Sequence, residues 1–130
     1  MNGRKHILLV DDEEGLRFSA GLALRMAGYR ISEAADGKDA LDTLIRCRDE
    51  GTPVDLVVTD LRMPHVSGVE LISAMVENEV HAPVFVISGE GDEPALREMA
   101  DAGCVEYMER PFRPEELVRR IEGILRRRAA

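Results

Sequence analysis

Three aspartates stand at or just beyond the ends of short apolar runs. Asp11 and Asp12 follow the run from Ile7 to Val10, and Asp60 comes shortly after the run from Leu56 to Val58. The chain turns towards a helix after the first run, so both carboxylates of the pair can lie over one strand end. Two carboxylates about 4 Å apart repel by about 1 kcal/mol in water and about 4 kcal/mol at an effective dielectric constant of 20. The cluster therefore predicts a bound cation, and a few hard oxygen ligands favour Mg²⁺.

A hydroxyl and a guanidinium end two later runs. Ser88 follows the run from Val84 to Ile87, and Arg110 follows the segment from Val105 to Met108. A metal ion, a carboxylate nucleophile, a hydroxyl and a cation around one crevice are typical of phosphoryl transfer, in which positioning and charge neutralisation supply most of the catalysis. Asp60 is the predicted acceptor of the phosphoryl group.

Five strands and five helices must position these groups. The three apolar runs are short and rich in β-branched residues, which predicts strands buried on both faces. Two segments alternate polar with apolar residues, which is typical of strands at the borders of a sheet: Tyr29 to Glu33 and Val105 to Met108. Helical spacing fills the intervals, with a shorter helix from about Glu93 to Ala102. Glycines and prolines predict helix ends and first turns, respectively: Gly28, Gly51 and Gly103; Pro94 and Pro114.

This alternation predicts an α/β fold, a doubly wound parallel sheet of flavodoxin-like (βα)5 type. Polar second and fifth strands favour the strand order 2-1-3-4-5, whereas a closed barrel would need eight units. Ligands of such sheets bind beyond the carboxyl ends of the strands, at the switch point between strands one and three. Asp11, Asp12 and Asp60 are expected there.

Length and charge narrow the class of protein. The 130 residues at 14.4 kDa, with 45% hydrophobic residues, predict one domain over residues 1–130, with a core at about 6–125 and a short basic end. A net charge of −8 argues against nucleic acid as a partner of this domain. The three arginines Arg126 to Arg128 are interpreted as complementing a helix dipole.

The sequence predicts neither a targeting segment nor a cysteine-based site. The chain has no apolar run of about 18 residues and no apolar stretch long enough for a signal peptide, so we expect a cytoplasmic protein without membrane contact. Cys47 and Cys104 lack the spacing of a zinc site or a disulfide framework. His6, His65 and His81 have no evident partners and are interpreted as structural or exposed.

Four motifs together resemble the receiver domain of two-component response regulators. They are ILLVDDE, LVVTDLRMPHVSG, VFVISGE and YMERPF, each at the end of a predicted strand, and the resemblance runs from about His6 to Leu125. It implies that Asp60 is phosphorylated and that Asp12, Asp60 and the backbone carbonyl of Arg62 bind Mg²⁺ or Mn²⁺, with Asp11 assisting through water. It further implies switch roles for Ser88 and Tyr107, a phosphate contact for Arg110, and a cis bond between Arg110 and Pro111.

The resemblance also implies a function in signal transduction. A sensor histidine kinase or a phosphotransfer protein of a phosphorelay would donate its phosphoryl group to Asp60. The face made by helix four, strand five and helix five would then change and regulate a downstream protein or a fused output domain, with homodimerisation as a further family property. Such a domain is a signalling module and not an enzyme, because it catalyses only its own phosphotransfer and dephosphorylation. Whether the chain is a stand-alone protein or part of a longer regulator stays open.

Two alternatives remain. Receivers ordinarily carry lysine where this sequence has Arg110, and this exchange is not conservative because the guanidinium is longer and planar. The domain could therefore be a docking or dimerisation module with altered or lost switching. A phosphohydrolase with an aspartate nucleophile is less well supported, since its second acid would fall at Arg62 and 130 residues leave no room for a cap domain.

Overall fold

Five strands alternate with five helices along the chain. In a computed structural model, residues 4–61, 63, 66–89, 93–103 and 106–129 are described. The elements are β1 His6–Val10, α1 Glu14–Met26, β2 Arg30–Ala34, α2 Gly37–Asp49, β3 Leu56–Asp60, α3 Gly68–Glu77, β4 Val84–Ser88, α4 Glu93–Ala102, β5 Glu106–Glu109 and α5 Pro114–Ala129.

The strands form one parallel sheet in the order β2-β1-β3-β4-β5. The predicted order and fold class are confirmed. Val10 pairs with Thr59 and Asp60 pairs with Ile87, so the carboxyl ends of the central strands lie side by side. The switch point between β1 and β3 consequently carries the aspartates.

Two apolar clusters cover the two faces of the sheet. One combines β-strand residues with α2, α3 and α4, and includes the fully buried Leu44, Leu71 and Met99. The other packs against α1 and α5 through Leu24 and Ile121. Because helices cover both faces, all five residues of β1, β3 and β4 are buried, whereas β2 and β5 are partly exposed as expected of border strands.

Helix ends follow the predicted signals. Gly28, Gly51 and Gly103 lie within two residues of the ends of α1, α2 and α4 with φ of 101°, 81° and 116°, a left-handed conformation that glycine adopts without steric cost. Pro114 begins α5, and Pro94 is the second residue of α4. The start of α3 carries a capping box that the sequence analysis missed: the Ser67 hydroxyl accepts from the Glu70 amide at 3.2 Å and the Ser67 amide donates to the Glu70 carboxylate at 2.9 Å.

The central strands are longer than their apolar runs. Thr59 and Asp60 belong to β3 and Ser88 belongs to β4, because ladder pairing with neighbouring strands continues past the last aliphatic residue. Asp60 and Ser88 thus stand on regular strand geometry, whereas Asp11, Asp12 and Arg110 follow directly after their strands. Cys47 is a buried free thiol, and Cys104 lies outside the described residues. Among the described helices, none combines the length and apolar character that a membrane crossing requires.

Candidate functional site

Three carboxylates meet at the carboxyl edge of the sheet. Asp11, Asp12 and Asp60 each offer an oxygen atom within 4.8 Å of those of the other two. Asp11 and Asp60 are 7% and 8% exposed, while Asp12 is open to solvent. The structure therefore brings together the three acids that the sequence places at two strand ends.

Asp11 is held by the backbone on both sides. Its amide donates to the Ala34 carbonyl at 3.1 Å, and its Oδ1 accepts from the Glu13 amide at 2.8 Å. Burial raises the pKa of Asp11, the Glu13 amide acts against this shift, and the neighbouring Asp60 adds to it. Negative charge at this position is thus costly in the folded protein.

Arg17 fixes the turn between β1 and α1. Its Nη1 donates to the carbonyl oxygen of Asp11 at 2.6 Å, and its Nε donates to Glu33 on β2 at 3.2 Å. The Arg17 side chain is only 17% exposed. The sequence analysis missed this positioning residue. The available signal is a long cationic side chain in the first turn of α1, shortly after the acidic pair.

Arg110 reaches two of the three acids. Its Nη2 lies 3.2 Å from Asp11 Oδ2 and 3.0 Å from Asp60 Oδ2. Its backbone amide donates to the carbonyl of Ser88 at 2.9 Å, and its peptide bond to Pro111 is cis. Burial acts to lower the pKa of Arg110, but the hydrogen bond and charge of Asp60, together with Asp11, outweigh it and raise that pKa. The guanidinium stays fully charged.

Ser88 and Tyr107 lie on β4 and β5 in different environments. Ser88 is fully buried, and its Oγ has no hydrogen-bond partner among the residues that the structure describes. Tyr107 is 52% exposed, and its carbonyl accepts from Arg120 of α5 at 2.9 Å. The Tyr107 ring therefore lies outward in this structure. Arg62, whose carbonyl is the fourth predicted metal ligand, lies outside the described residues, as does His65.

Thr59 supports the acceptor position from the preceding residue. Its buried hydroxyl donates to the Asp60 carbonyl at 3.0 Å and also lies 3.8 Å from the sulfur of Met63. The sequence analysis did not single out Thr59, since a β-branched residue in a buried strand is ordinary.

The donor set suits a hard divalent cation. Three carboxylates with one exposed member leave room for water or phosphate oxygens, which is the pattern that Mg²⁺ prefers. Both oxygens of Asp11 already contact protein donors, the Glu13 amide and Arg110. The exposed Asp12 is therefore better placed than Asp11 for direct coordination.

Comparison with known proteins gives matches over nearly the whole chain. A family model described as the response regulator receiver domain matches residues 7–122. The transcriptional regulatory protein FixJ of Bradyrhizobium diazoefficiens is 32% identical over 126 residues, covering 97% of this chain and 59% of that protein. The phosphate regulon transcriptional regulatory protein PhoB of Pseudomonas aeruginosa is 34% identical over 125 residues, covering 95% of this chain and 52% of that protein. The chain thus spans somewhat more than half the length of these curated relatives.

Solved structures agree with these sequence matches. The crystal structure of FixJ-N superposes with a TM-score of 0.81 at 32% identity, covering 94% of each chain. A CheY-like receiver domain protein from Methanospirillum hungatei superposes with a TM-score of 0.84 and covers 96% of each chain; at 23% identity it supports the fold alone. The chain belongs to the response regulator receiver domain family of two-component systems.

Proposed function

We propose that this receiver domain is a phosphorylation-dependent switch with Asp60 as its phosphoacceptor. The observation that carries the proposal is the position of Asp60. It ends the central strand β3, it is 8% exposed, and two further carboxylates and the Arg110 guanidinium surround it. The phosphodonor is a phosphohistidine on a sensor histidine kinase or a phosphotransfer protein.

The transfer forms one bond and breaks one bond. A carboxylate oxygen of Asp60 attacks phosphorus in line with the phosphorus–nitrogen bond of the donor. That bond's electron pair returns to the imidazole, which leaves as a neutral ring when its other nitrogen carries a proton. Water later attacks the acyl phosphate at phosphorus, which regenerates the Asp60 carboxylate and releases inorganic phosphate.

Mg²⁺, or Mn²⁺ in its place, would be held by Asp12, Asp60 and the carbonyl of Arg62, with Asp11 assisting through water. When bound, the ion would neutralise charge on the phosphoryl oxygens. Burial raises the pKa of Asp11 and the neighbouring Asp60 charge adds to this shift, which supports a cation at this cluster. Asp11 keeps its orientation through the Glu13 amide and Arg17.

Signal output would begin at Ser88. Its fully buried Oγ lacks a partner in the described part of the chain, so a phosphoryl oxygen could supply the missing hydrogen bond. The Ser88 carbonyl also holds the Arg110 amide, so a shift at the end of β4 is passed to the end of β5. Tyr107 then turns inward and alters the face of α4, β5 and α5, which regulates a partner or an output domain. Reversing an equilibrium from 1:99 to 99:1 requires about 5.5 kcal/mol, which several charge-assisted hydrogen bonds can provide.

Intact-mass measurement tests the acceptor chemistry. The protein is incubated with acetyl phosphate, with and without Mg²⁺, beside Asp60→Asn and a matched Asp42→Asn control on α2. We expect one added phosphoryl group in the wild type and the control, and none without Mg²⁺ or in Asp60→Asn. Addition to Asp60→Asn would contradict the assignment.

A docking module without phosphate signalling is the second candidate. The contact between Arg110 and Asp60 favours it, because the cation occupies an oxygen of the acceptor. A folded protein that binds Mg²⁺ but gains no phosphoryl group from a cognate kinase or from acetyl phosphate would support the docking module over the switch.

A further inference from the structure

The border strand β2 supports both backbone polar groups of Asp11. One contact is direct, since the Asp11 amide donates to the Ala34 carbonyl at 3.1 Å. The other contact runs through α1: Arg17 Nη1 donates to the Asp11 carbonyl at 2.6 Å, and Arg17 Nε donates to the Glu33 carboxylate at 3.2 Å. Glu33 and Ala34 are adjacent residues of β2. The end of β2 therefore holds the start of the acidic turn from two directions.

The Asp11 carbonyl belongs to the peptide unit that joins Asp11 to Asp12. This unit is planar, so a bond to its oxygen restrains ψ of Asp11 and φ of Asp12 together. These two angles set the directions in which the two side chains leave the turn. The orientation of the exposed Asp12 carboxylate thus depends on the contact from Arg17.

Two arginines of α1 hold the Glu33 carboxylate in place. Arg17 Nε lies 3.2 Å from Oε1, and Arg25 Nη2 lies 3.1 Å from Oε2, so each oxygen has its own partner. Arg25 passes close to the buried Gly21, where an added Cβ would lie 3.2 Å from Arg25 Nη1 and 3.8 Å from Glu33 Oε2. Glycine at this position leaves space for the pair. Glu33 therefore cannot turn away from Arg17 without losing its contact with Arg25.

This network is better suited to orienting the acidic turn than to stabilising the fold. The side chains of Arg25 and Glu33 are 46% and 33% exposed, and ion pairs at such positions contribute little to folding. Arg17 is only 17% exposed and uses two different nitrogens for its two acceptors, which a single ammonium group cannot reproduce. Groups that orient metal ligands typically change metal affinity by about tenfold or more when they are removed.

We propose that Glu33 is a positioning residue for the metal site and that it acts through Arg17 on the peptide unit between Asp11 and Asp12. This inference rests on the proposed function, in which these acids hold a divalent cation. Simple electrostatics makes a different prediction, because loss of the Glu33 charge would weaken cation binding and loss of the Arg17 charge would strengthen it. Positioning predicts weaker binding in both cases.

Titration calorimetry with Mg²⁺ alone separates these two accounts by the sign of the change. We compare the wild type with Arg17→Ala, Glu33→Ala, the double variant and the control Arg48→Ala, which removes an arginine of α2 that pairs with Asp49. Each single variant at the network should bind Mg²⁺ about tenfold more weakly. The double variant should bind no more weakly than the single variants, because both substitutions break the same chain of contacts. Arg48→Ala should match the wild type.

Conservative variants distinguish position from charge. Arg17→Lys keeps the charge but not the two separate donors, so it should also bind Mg²⁺ more weakly than the wild type. Glu33→Gln loses the charge but keeps an oxygen acceptor, so it should bind Mg²⁺ more tightly than Glu33→Ala. Urea denaturation should give nearly the same free energy of unfolding for Glu33→Ala and the wild type.

The amide nitrogen resonance of Asp12 follows the turn in the absence of metal. It lies in the same peptide unit as the Asp11 carbonyl, so in EDTA it should shift in the same direction in Arg17→Ala and Glu33→Ala. An unmoved resonance in Glu33→Ala would overturn the inference, as would tighter Mg²⁺ binding by Arg17→Ala. Unchanged affinity in both variants, beside a wild type that binds Mg²⁺, would overturn this inference alone. A wild type that binds no Mg²⁺ would overturn the metal site of the proposed function and the inference together.

Discussion

The two edges of the sheet treat buried polar groups differently. At the amino edge, His6 is 4% exposed, yet its ring lies 3.1 Å from the Thr52 carbonyl through Nδ1 and 2.7 Å from the Ser32 hydroxyl through Nε2, and its amide donates to Asp55 at 2.8 Å. Since a carbonyl only accepts, Nδ1 carries the proton that is donated to Thr52, and Nε2 shares a hydrogen bond with the Ser32 hydroxyl.

At the carboxyl edge, buried polar groups lack hydrogen-bond partners among the described residues. Three carboxylates crowd together, and Ser88 Oγ and Arg110 Nε have no partners in the described part of the chain. Unsatisfied buried groups are costly in a native protein and require an explanation. At the amino edge, Glu106 Oε2 also lacks a hydrogen bond among the described residues, but it lies 3.7 Å from Arg127 Nη2 and is paired by charge. The comparison teaches that the amino edge, where His6 and Glu106 have partners, supports the fold, whereas the carboxyl edge is prepared for a ligand.

The largest expected effect is on phosphate acceptance at the carboxyl edge. Asp60→Asn should abolish phosphorylation by a phosphohistidine donor, because an amide is a very poor nucleophile, and should leave the far-ultraviolet circular dichroism spectrum unchanged. Electrophoretic separation of the phosphorylated from the unphosphorylated protein measures the loss of phosphorylation. Loss of folding in Asp60→Asn would show that the carboxyl edge also supports the fold, which would contradict the difference between the two edges.

A substitution at the amino edge should lower the stability of the fold and leave phosphorylation unchanged. His6→Ala should lower the free energy of unfolding by about 1–3 kcal/mol, since Thr52 and Ser32 lose their buried partner. Urea denaturation measures this change, with His81→Ala, an exposed histidine at the same edge, as the control. Phosphorylation per folded molecule should stay normal; a selective loss of phosphate acceptance would show that the amino edge is not purely structural.

Ser67→Ala tests whether a hydrogen-bonded side chain beside the site also stabilises the fold. Ser67→Ala should cost about 1 kcal/mol by removing the cap of α3. The bonds from Ser67 lower the pKa of Glu70, so this carboxylate stabilises the fold above its unfolded pKa and that contribution disappears as pH falls through the lower folded pKa. Thermal melts between pH 3 and pH 7 should show a slightly smaller acid-dependent loss in Ser67→Ala than in the wild type, because the variant loses the hydroxyl but keeps the stronger bond from its backbone amide to Glu70. Parallel curves would contradict the contribution of the hydroxyl to the pKa of Glu70.

The smallest effect concerns Asp11 in the absence of metal. Burial raises its folded pKa above the unfolded value, so its ionisation costs stability: the penalty is absent below the unfolded pKa and complete above the folded pKa. Asp11→Asn should therefore raise the free energy of unfolding at pH 7 in EDTA by up to about 1 kcal/mol, with no gain under strongly acid conditions. A destabilised variant at pH 7 would mean that the Arg110 contact outweighs burial.

Much of the framework could be predicted from the sequence, because its signals are local. Apolar runs predicted the strands, and glycines such as Gly28 predicted helix ends since they adopt positive φ. The convergence of Asp11 with Asp60 could be anticipated because parallel strands share one carboxyl edge.

The features that the sequence did not reveal depend on the contacts that long side chains make with distant residues. Helical spacing does not reveal that Arg17 reaches the carbonyl of Asp11, nor that one nitrogen of Arg110 serves two acids. The apolar runs alone also stop short of the paired strands, because pairing with neighbouring strands and not side-chain polarity decides where β3 and β4 end.

Chemical mapping of the phosphoryl group tests the central claim most directly. The protein is phosphorylated in Mg²⁺, treated with borohydride to reduce any acyl phosphate to the alcohol, and digested for peptide sequencing by mass spectrometry. We predict homoserine at Asp60 and unmodified Asp11 and Asp12. Homoserine at another carboxylate, or none at all in a protein that carries phosphate, would contradict the assignment of Asp60 as acceptor.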